Sequence, residues 1–428
     1  MKIKIIILSI ATAIGLQATT ITELFEAINK QPSTKIDELN QEMSQTYQEK
    51  VNSTSYPTLD IFGNYTHYNT PTNLLPLDPL KTAQLTKDNK GLPFATTIEK
   101  VGVLFNMPLY IKELKSLSLK AKYLAKSAKL KKELNIFTKE ASIVGANSNL
   151  QYLENLLKAL NSTKRSVLNT KQEIEISVES GRMAGIALDK INQKLNELDI
   201  NINNVKIQRL NLISSIRKLT NITLDQSVSM KLKNNVDYQT GNIFALKPLE
   251  ENLKASTENL KATKAKQNSF KVVFSAMWSR NYAQKDVRLH DDISADYGYY
   301  QFGISYPLYN KSGNVDIELK KIELLKNKMK LKQTEQEFKS DIKNILAQLP
   351  LLEKSIILTK QNIDKQQNLL KFAKVSFKQG RMTQEDYLGY EDGVLSAKAK
   401  YYKAIALKWQ SIAKLTVIYG INLKGVIK

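Results

Sequence analysis

The sequence predicts a mixed α and β chain built from two tandem repeats, each ordered helix–strand–strand–long helix–helix. Three observations carry this. Gly181-Arg182-Met183 returns as Gly380-Arg381-Met382, and Pro108-Leu109-Tyr110 returns as Pro307-Leu308-Tyr309. The offset is the same for both, since 380 − 181 and 307 − 108 each give 199. A loop tolerates changes of length at little thermodynamic cost, so equal spacing without an insertion points to a rigid element between the two markers. Finally, the hydrophobic period is 2 just before each Pro-Leu-Tyr and 3.6 after it, which places strands ahead of a long helix.

The opening residues read as a secretory signal, 1–18. Lys2 and Lys4 precede an apolar run from Ile5 to Leu16, and Leu16-Gln17-Ala18 is a cleavage signature. That run is too short to span a bilayer comfortably. The first repeat is expected over 19–221. Leu24, Ala27 and Ile28 make one helical edge, Gln31-Pro32 breaks it, and Leu39, Met43 and Tyr47 resume it. Leu59, Ile61 and Tyr65 then alternate with Thr58, Asp60, Asn64 and Thr66, predicting a strand over about 57–67 with Phe62 as the exception. Asn69 to Ala95 holds Pro71, Pro76, Pro79 and Pro93 and reads as a long loop. Val101, Val103, Phe105 and Met107 give a second strand over about 97–107.

No proline falls between Tyr110 and Ser180, and leucines recur at spacings of 3 and 4, as in Leu150, Leu153, Leu157 and Leu160. This predicts a coiled-coil helix over about 110–180, with phase slips that act as stutters. At ~1.5 Å per residue such a helix is about 110 Å long. A return helix follows over about 184–219, along Ile191, Leu195, Leu198 and Ile202.

A polar connector is expected over 222–243, and the second repeat over 244–428. Its strands fall at about 270–281 and 298–306, where Val272, Phe274, Ala276 and Trp278, then Tyr300, Phe302, Ile304 and Tyr306, alternate with polar or small residues. Its long helix is expected at about 315–378 and its return helix at about 383–420. Pro350 lies inside the long helix, where the lost hydrogen bond predicts a local bend.

Composition narrows the function. The chain has 428 residues, no cysteine and a formal charge of +22. Disulfides and thiolate metal sites are excluded. Removing Lys2 and Lys4 leaves +20; the lysines are spread along helices among glutamates and no aromatic-basic module is present, so the charge reads first as solvated helix faces, and as a binding feature it suits anionic envelope polymers better than nucleic acid. His67 and His290 are the only histidines, and His290-Asp291-Asp292 has no further ligands in its expected outer loop. No metal, cofactor or catalytic residue is expected, and the chain does not read as an enzyme.

No later segment approaches 18 consecutive apolar residues, so only strands are left to cross a membrane. Aromatics at the strand ends (Tyr65, Tyr68, Trp278, Tyr282, Tyr299, Tyr300, Tyr306) suit interface girdles. Four strands cannot close a barrel alone. Two copies give eight strands and a filled interior; three give twelve and room for a lumen.

The order of elements resembles the TolC-like outer-membrane efflux proteins over nearly the whole mature chain. Tyr56-Pro57-Thr58-Leu59 opens the first strand, Pro108-Leu109 and Pro307-Leu308 stand where strand gives way to helix, and Ser177–Gly181 and Val375–Gly380 match the family's tip turns in part, with Phe377 present and Val178 in its counterpart. The resemblance implies a homotrimer, a twelve-stranded transmembrane β-barrel continued by a long α-helical periplasmic barrel, and a place in the outer membrane of a Gram-negative bacterium. It also implies a periplasmic adaptor (membrane fusion protein), an inner-membrane pump or ATP-binding transporter, and an exit-duct role in efflux or type I secretion. The family's adaptor-docking positions map onto Gly181, Arg182, Met183 and Ala184, and onto Gly380, Arg381, Met382 and Thr383. Asp386 takes the position of its lumen-gate aspartate, with Glu385 beside it and Arg381 in reach to brace it; the family's gate arginine often falls one position later, at Met382 here. The competing expectation is an exported basic coiled-coil structural protein of the cell envelope, which would account for the helices and charge but not for the four strands.

Overall fold

The computed structural model describes residues 19–76, 78–88, 94–233, 242–283 and 293–428. The expected signal, His290-Asp291-Asp292 and the latter half of the connector lie outside these residues. In chain order the elements are α1 (Ile21–Asn29), α2 (Pro32–Ser53), β1 (Thr58–Asn73), α3 (Pro79–Lys87), β2 (Phe94–Ile111), α4 (Lys112–Glu179), α5 (Ile186–Thr220), a short 3₁₀ turn, α6 (Lys247–Gln267), β3 (Lys271–Ala283), β4 (Ile293–Ser305), α7 (Lys311–Lys378), α8 (Gln384–Tyr419) and α9 (Leu423–Val426).

The offset of 199 extends beyond the markers that revealed it. β2 and β4 start 199 residues apart, α4 and α7 are each 68 residues long at that offset, and Asn221 and Gly420 close α5 and α8 in the same left-handed conformation. Packing does not follow the repeats. One compact unit takes residues up to Leu39 with Leu130–Lys247 and Thr334–Lys428; the other takes Asn40–Lys129 and Pro248–Gln333, so each draws on both repeats.

The second unit contains an antiparallel sheet in the order β1-β2-β3-β4. Its register brings all four apolar alternations to one face. Leu59 pairs with Phe105, Phe105 with Ala276 and Ala276 with Tyr300; Ile61, Val103, Trp278 and Gly298 form the next row. Met107, Phe274 and Phe302 extend it, with ring centroids of Phe274 and Phe302 5.0 Å apart. Thr58, Asp60, Asn64, Asn106, Ser275, Ser279 and Gln301 fall on the opposite face. Phe62, which breaks the alternation, lies on that polar face opposite Gly102. A Cβ on Gly102 would stand 2.8 Å from the Phe62 ring, so glycine makes room for the aromatic.

Two expectations are corrected. The strands are longer than their alternations: β1 reaches Asn73 after a register shift between His67 and Thr72, and β2 carries Pro108 into a bulge before Tyr110. Proline is tolerated on an edge strand or at a bulge, where no ladder N–H is needed. The stretch read as one loop contains α3, which Asp78 caps by accepting from the Leu80 N–H, with Pro79 at the first helical position. The first half of the polar connector is packed. The Asn147 side chain donates to the Val228 carbonyl at 2.7 Å and accepts from its N–H at 2.8 Å, while Leu224, Val228 and Met230 join the core formed by Ile21, Leu24, Phe25, Ile28, Ile143 and Val144. α7 runs as helix through Pro350.

The C-terminus closes this core. Lys231 and Lys428 exchange both backbone hydrogen bonds, and Leu423 and Ile427 are fully buried. Glu140 of α4 accepts from the Leu423 N–H at 3.0 Å. Burial pushes its carboxyl up to about 7, against the opposing pull of that hydrogen bond and of Lys424. A carboxyl raised in the folded state contributes stability that is present below its ordinary value of 4.5 and lost as pH rises through about 7. Glu140→Gln keeps the acceptor oxygen and removes the titration. Thermal unfolding followed by circular dichroism should show the wild type losing up to about 3 kcal/mol relative to Glu140→Gln between pH 4.5 and pH 8. Parallel pH profiles would contradict this.

Candidate functional site

The first unit contains two helical hairpins, and their turns are built alike. At the end of α4 the Arg182 N–H donates to the Ser177 carbonyl at 2.8 Å, and the Gly181 N–H to Val178 at 2.9 Å. At the end of α7 the Arg381 N–H donates to Ser376 and the Gly380 N–H to Phe377, both at 2.9 Å. This paired pattern satisfies the last helical carbonyls and needs a left-handed residue at its centre. Gly181 and Gly380 supply it, with φ of 71° and 69°. A Cβ added at either glycine would meet nothing within 4 Å, so both turns face open space.

The second half of each tip differs. Thr383 caps α8: its hydroxyl accepts from the Asp386 N–H at 3.1 Å and contacts the Asp386 carboxylate at 2.6 Å. Asp386 therefore sits in the first turn of α8, where the helix dipole favours a negative charge. The matching positions of the first tip are Ala184 and Ala187, and α5 begins after Gly185 with no side-chain cap. Met183 and Met382 are half-buried, whereas Gly181, Arg182, Ala184, Gly380, Arg381 and Thr383 are exposed.

The structure gathers the second set of expected site residues. Gly380, Arg381, Met382, Thr383, Glu385 and Asp386 all line one open cleft of about 950 Å³, closed on its other sides by Gln366 and Leu369 of α7 and by Gly389, Tyr390 and Gly393 of α8. The last two glycines escaped the sequence reading, although glycines four residues apart inside a helix, each costing about 1 kcal/mol against alanine, signal a surface that needs room. Among the described residues Arg381 makes no ion pair within the chain. Glu385 instead meets Lys190 of α5 at 3.5 Å, an exposed pairing worth little by itself.

The firmer ties between the hairpins lie further along the helices. Lys194 of α5 meets Asp392 of α8 at 2.7 Å, and Lys378 of α7 meets Glu173 of α4 at 2.9 Å. Between α4 and α8, Ser166 donates to the buried Glu391 carboxylate, which also accepts from the Tyr387 hydroxyl at 2.9 Å. Burial, ahead of all other influences, raises the Tyr387 phenol, and Phe377 stacks on its ring at 5.0 Å. Nothing in the sequence pattern paired Ser166 with a helix more than 200 residues away. The hairpin of α4 and α5 has a dry seam, with Leu153, Leu160, Val167 and Ile174 against Ile191, Leu195, Leu198 and Ile202. α7 leaves Leu351, Ile357, Leu358, Leu369, Phe372 and Val375 exposed.

Donors for a metal are not gathered: among the described residues no group of three His, Cys, Asp or Glu side chains forms a site. His67 bonds the Thr97 hydroxyl at 2.9 Å at the loop end of the sheet.

No protein-family model matches the sequence, and no curated protein does either. Solved structures do match in fold. The outer membrane protein VceC of Vibrio cholerae superposes with a TM-score of 0.77 over 94% of this chain and 97% of its own, at 12% identity. A membrane protein from Pseudomonas aeruginosa gives 0.77 over 94% and 91%, at 11% identity. The CmeC outer membrane channel of Campylobacter jejuni gives 0.75 over 94% and 84%, at 13% identity. The fold is that of the TolC-like outer-membrane channels.

Proposed function

We propose that the chain is an outer-membrane exit duct that works as a homotrimer, passing cargo handed to it by a periplasmic adaptor and an inner-membrane transporter. The observation that carries this reading is the register of the sheet, which places every apolar alternation on one face and leaves β1 and β4 as open edges. From Phe270, just before β3, to Tyr282 within it, the aromatic-bounded stretch is about 40 Å along the strand, or about 28 Å once tilted by ~45°, the height of a bilayer's hydrocarbon core. Unpaired strand edges are not tolerated in lipid, so such a sheet must close with copies of itself. Three copies make twelve strands and leave a lumen. The exposed apolar side chains of α7 are a further surface that one chain leaves uncovered.

No helix of the described residues is long and apolar enough to cross a membrane, so β-strands are the crossing element in this reading. The energy for transport belongs to a partner. The tips are the docking surface, with Gly181, Arg182, Met183 and Ala184 on one and Gly380, Arg381, Met382 and Thr383 on the other. Asp386, with Glu385, lines the gate: three copies of Asp386 around one axis would draw cations into the closed end. Arg381, unpaired among the described residues, is free to brace a neighbouring copy there. The fold of solved outer-membrane channels at 11–13% identity supports this assignment.

In fractionated cells the protein should stay with the outer membrane through a high-salt wash, which would strip a peripheral coiled coil. In planar bilayers Asp386→Ala should weaken divalent-cation block by about tenfold, the order expected when a charged ring is neutralised; unchanged block removes Asp386 from the gate. For docking, Gly380→Trp is informative because the added side chain meets nothing in the chain itself. Export should fail while trimers survive, at a backbone cost of about 1–2 kcal/mol. Full export would remove the tip from the docking surface.

A further inference from the structure

We infer that the first five turns of α4 form a docking surface for an anionic cell-wall polymer, a peptidoglycan strand with free peptide carboxylates. The inference rests on the outer-membrane reading above, since α4 begins at the residue after β2 ends. Lys112, Lys115, Lys122, Lys126 and Lys129 are all exposed. At 3.6 residues per turn they fall within an arc of about 100° on one helix face. Leu119 is the remaining residue on that arc, and no acid shares it. Of the five lysines, Lys126 is paired, with Glu251 of α6 at 2.9 Å. Among the described residues no ion pair reaches the other four.

The second repeat provides an internal comparison. The same positions 199 residues later are Lys311, Asn314, Glu318, Lys321, Leu325 and Lys328. There Glu318 pairs with Lys321, and an exposed leucine replaces the lysine opposite Glu251. A basic chain alone would have produced the same stripe in both copies; one copy is uniformly positive, whereas the other is mixed, broken by Glu318 and Leu325 and left with Lys311 and Lys328 at its ends.

Three occupants compete for the face. A second copy of the chain is disfavoured by charge, because burying four unpartnered ammonium groups is costly. The same unit offers an apolar alternative for contact between copies in Val315, Leu319, Ile322, Leu325 and Met329 of α7, all exposed. Membrane headgroups are disfavoured by length and by composition. The stripe is about 25 Å long, roughly three Debye lengths at physiological salt, so its far end would be screened from headgroups at its near end. Nor can α4 lie flat in the interface, since its exposed face carries no apolar stripe. Its other sides are held by Asn52 of α2, which accepts from Ser118 at 2.6 Å, and by the Pro248 carbonyl, which accepts from Ser127 at 2.8 Å. An extended polymer bearing carboxylates at intervals fits the length, the charge and the solvated face.

The test uses the full-length protein in zwitterionic nanodiscs, mixed with purified peptidoglycan sacculi and sedimented. The wild type should pellet with the sacculi, and raising salt from about 50 to about 300 mM should release it. A variant with Lys112→Gln, Lys115→Gln, Lys122→Gln and Lys129→Gln, which keeps the Lys126–Glu251 pair, should bind at least about tenfold more weakly. Its oligomer on native gels should be unchanged, and Lys311→Gln with Lys328→Gln should bind like the wild type. Equal sedimentation of the quadruple variant would overturn the inference. So would capture by phosphatidylglycerol liposomes without capture by sacculi, or loss of the oligomer in the quadruple variant, which would make the stripe a contact between copies. Oligomer and membrane fraction are read separately, so failure of the exit-duct reading would be visible on its own.

Discussion

Every backbone N–H and C=O of a strand placed in hydrocarbon needs a partner, and in the proposed outer-membrane reading that requirement governs this chain. Within one copy β2 and β3 satisfy it on both sides, while β1 and β4 do so on one side each. An edge left open in lipid costs several kcal/mol per unpaired group. The register adds a second demand: Leu59, Ile61, Val103, Phe105, Trp278 and Phe302 share one face, and Asp60, Asn64, Ser275 and Gln301 share the other with Leu104 and Met277, so in the proposed reading the first face takes lipid and the second water. A closed barrel of several copies would meet both demands, and in the same reading that association covers the exposed apolar side chains of α7. The competing reading, a peripheral basic coiled coil, leaves this two-faced sheet without an environment.

The offset of 199 runs through the architecture, and the two copies differ in the chemistry of their side chains. The two turns share their glycine conformation and hydrogen-bond pattern, which makes them equivalent as backbone. Their side chains differ. Thr383 and Asp386 cap α8 and face a cleft that Gly389 and Gly393 keep open, whereas Ala184 and Ala187 have no comparable chemistry. Asp386 thus has a local structural role as well as the proposed one at the gate, and its exposed carboxylate is available for both. The lysine face of α4 is a departure in the opposite direction, present in the first copy and broken in the second by Glu318 and Leu325.

Periodic features were legible in the sequence. The offset of 199 marked the long helices because a 68-residue rod has no freedom to change length, and the strands announced themselves by alternation wherever one face is apolar. Alternation fails where neither face is apolar, so the polar end of β1 up to Asn73 reads as loop. α3 hid behind four prolines, although Asp78-Pro79 is a helix start in its own right. The packing of the connector has no periodic signal, because its buried apolar residues, Leu224, Val228 and Met230, are few and their partners lie in distant helices. The second tip's residues were placed from resemblance and do surround one cleft; the partner of Glu385 was not foreseen, because Lys190 belongs to the other hairpin. Buried polar groups such as Glu140 and Glu391 have no sequence signature, since burial is a property of the packed chain.

The central claim is that β4 of one copy pairs with β1 of the next until three copies close the ring. The chain has no cysteine, so engineered pairs report without background. Cysteines placed singly at positions 58–64 of β1, each combined with Gln301→Cys in β4, should under oxidation give at one register a covalent ladder of one, two and three chains that ends at three. A ladder running past three, or monomers alone at every register, would contradict the closed trimeric barrel.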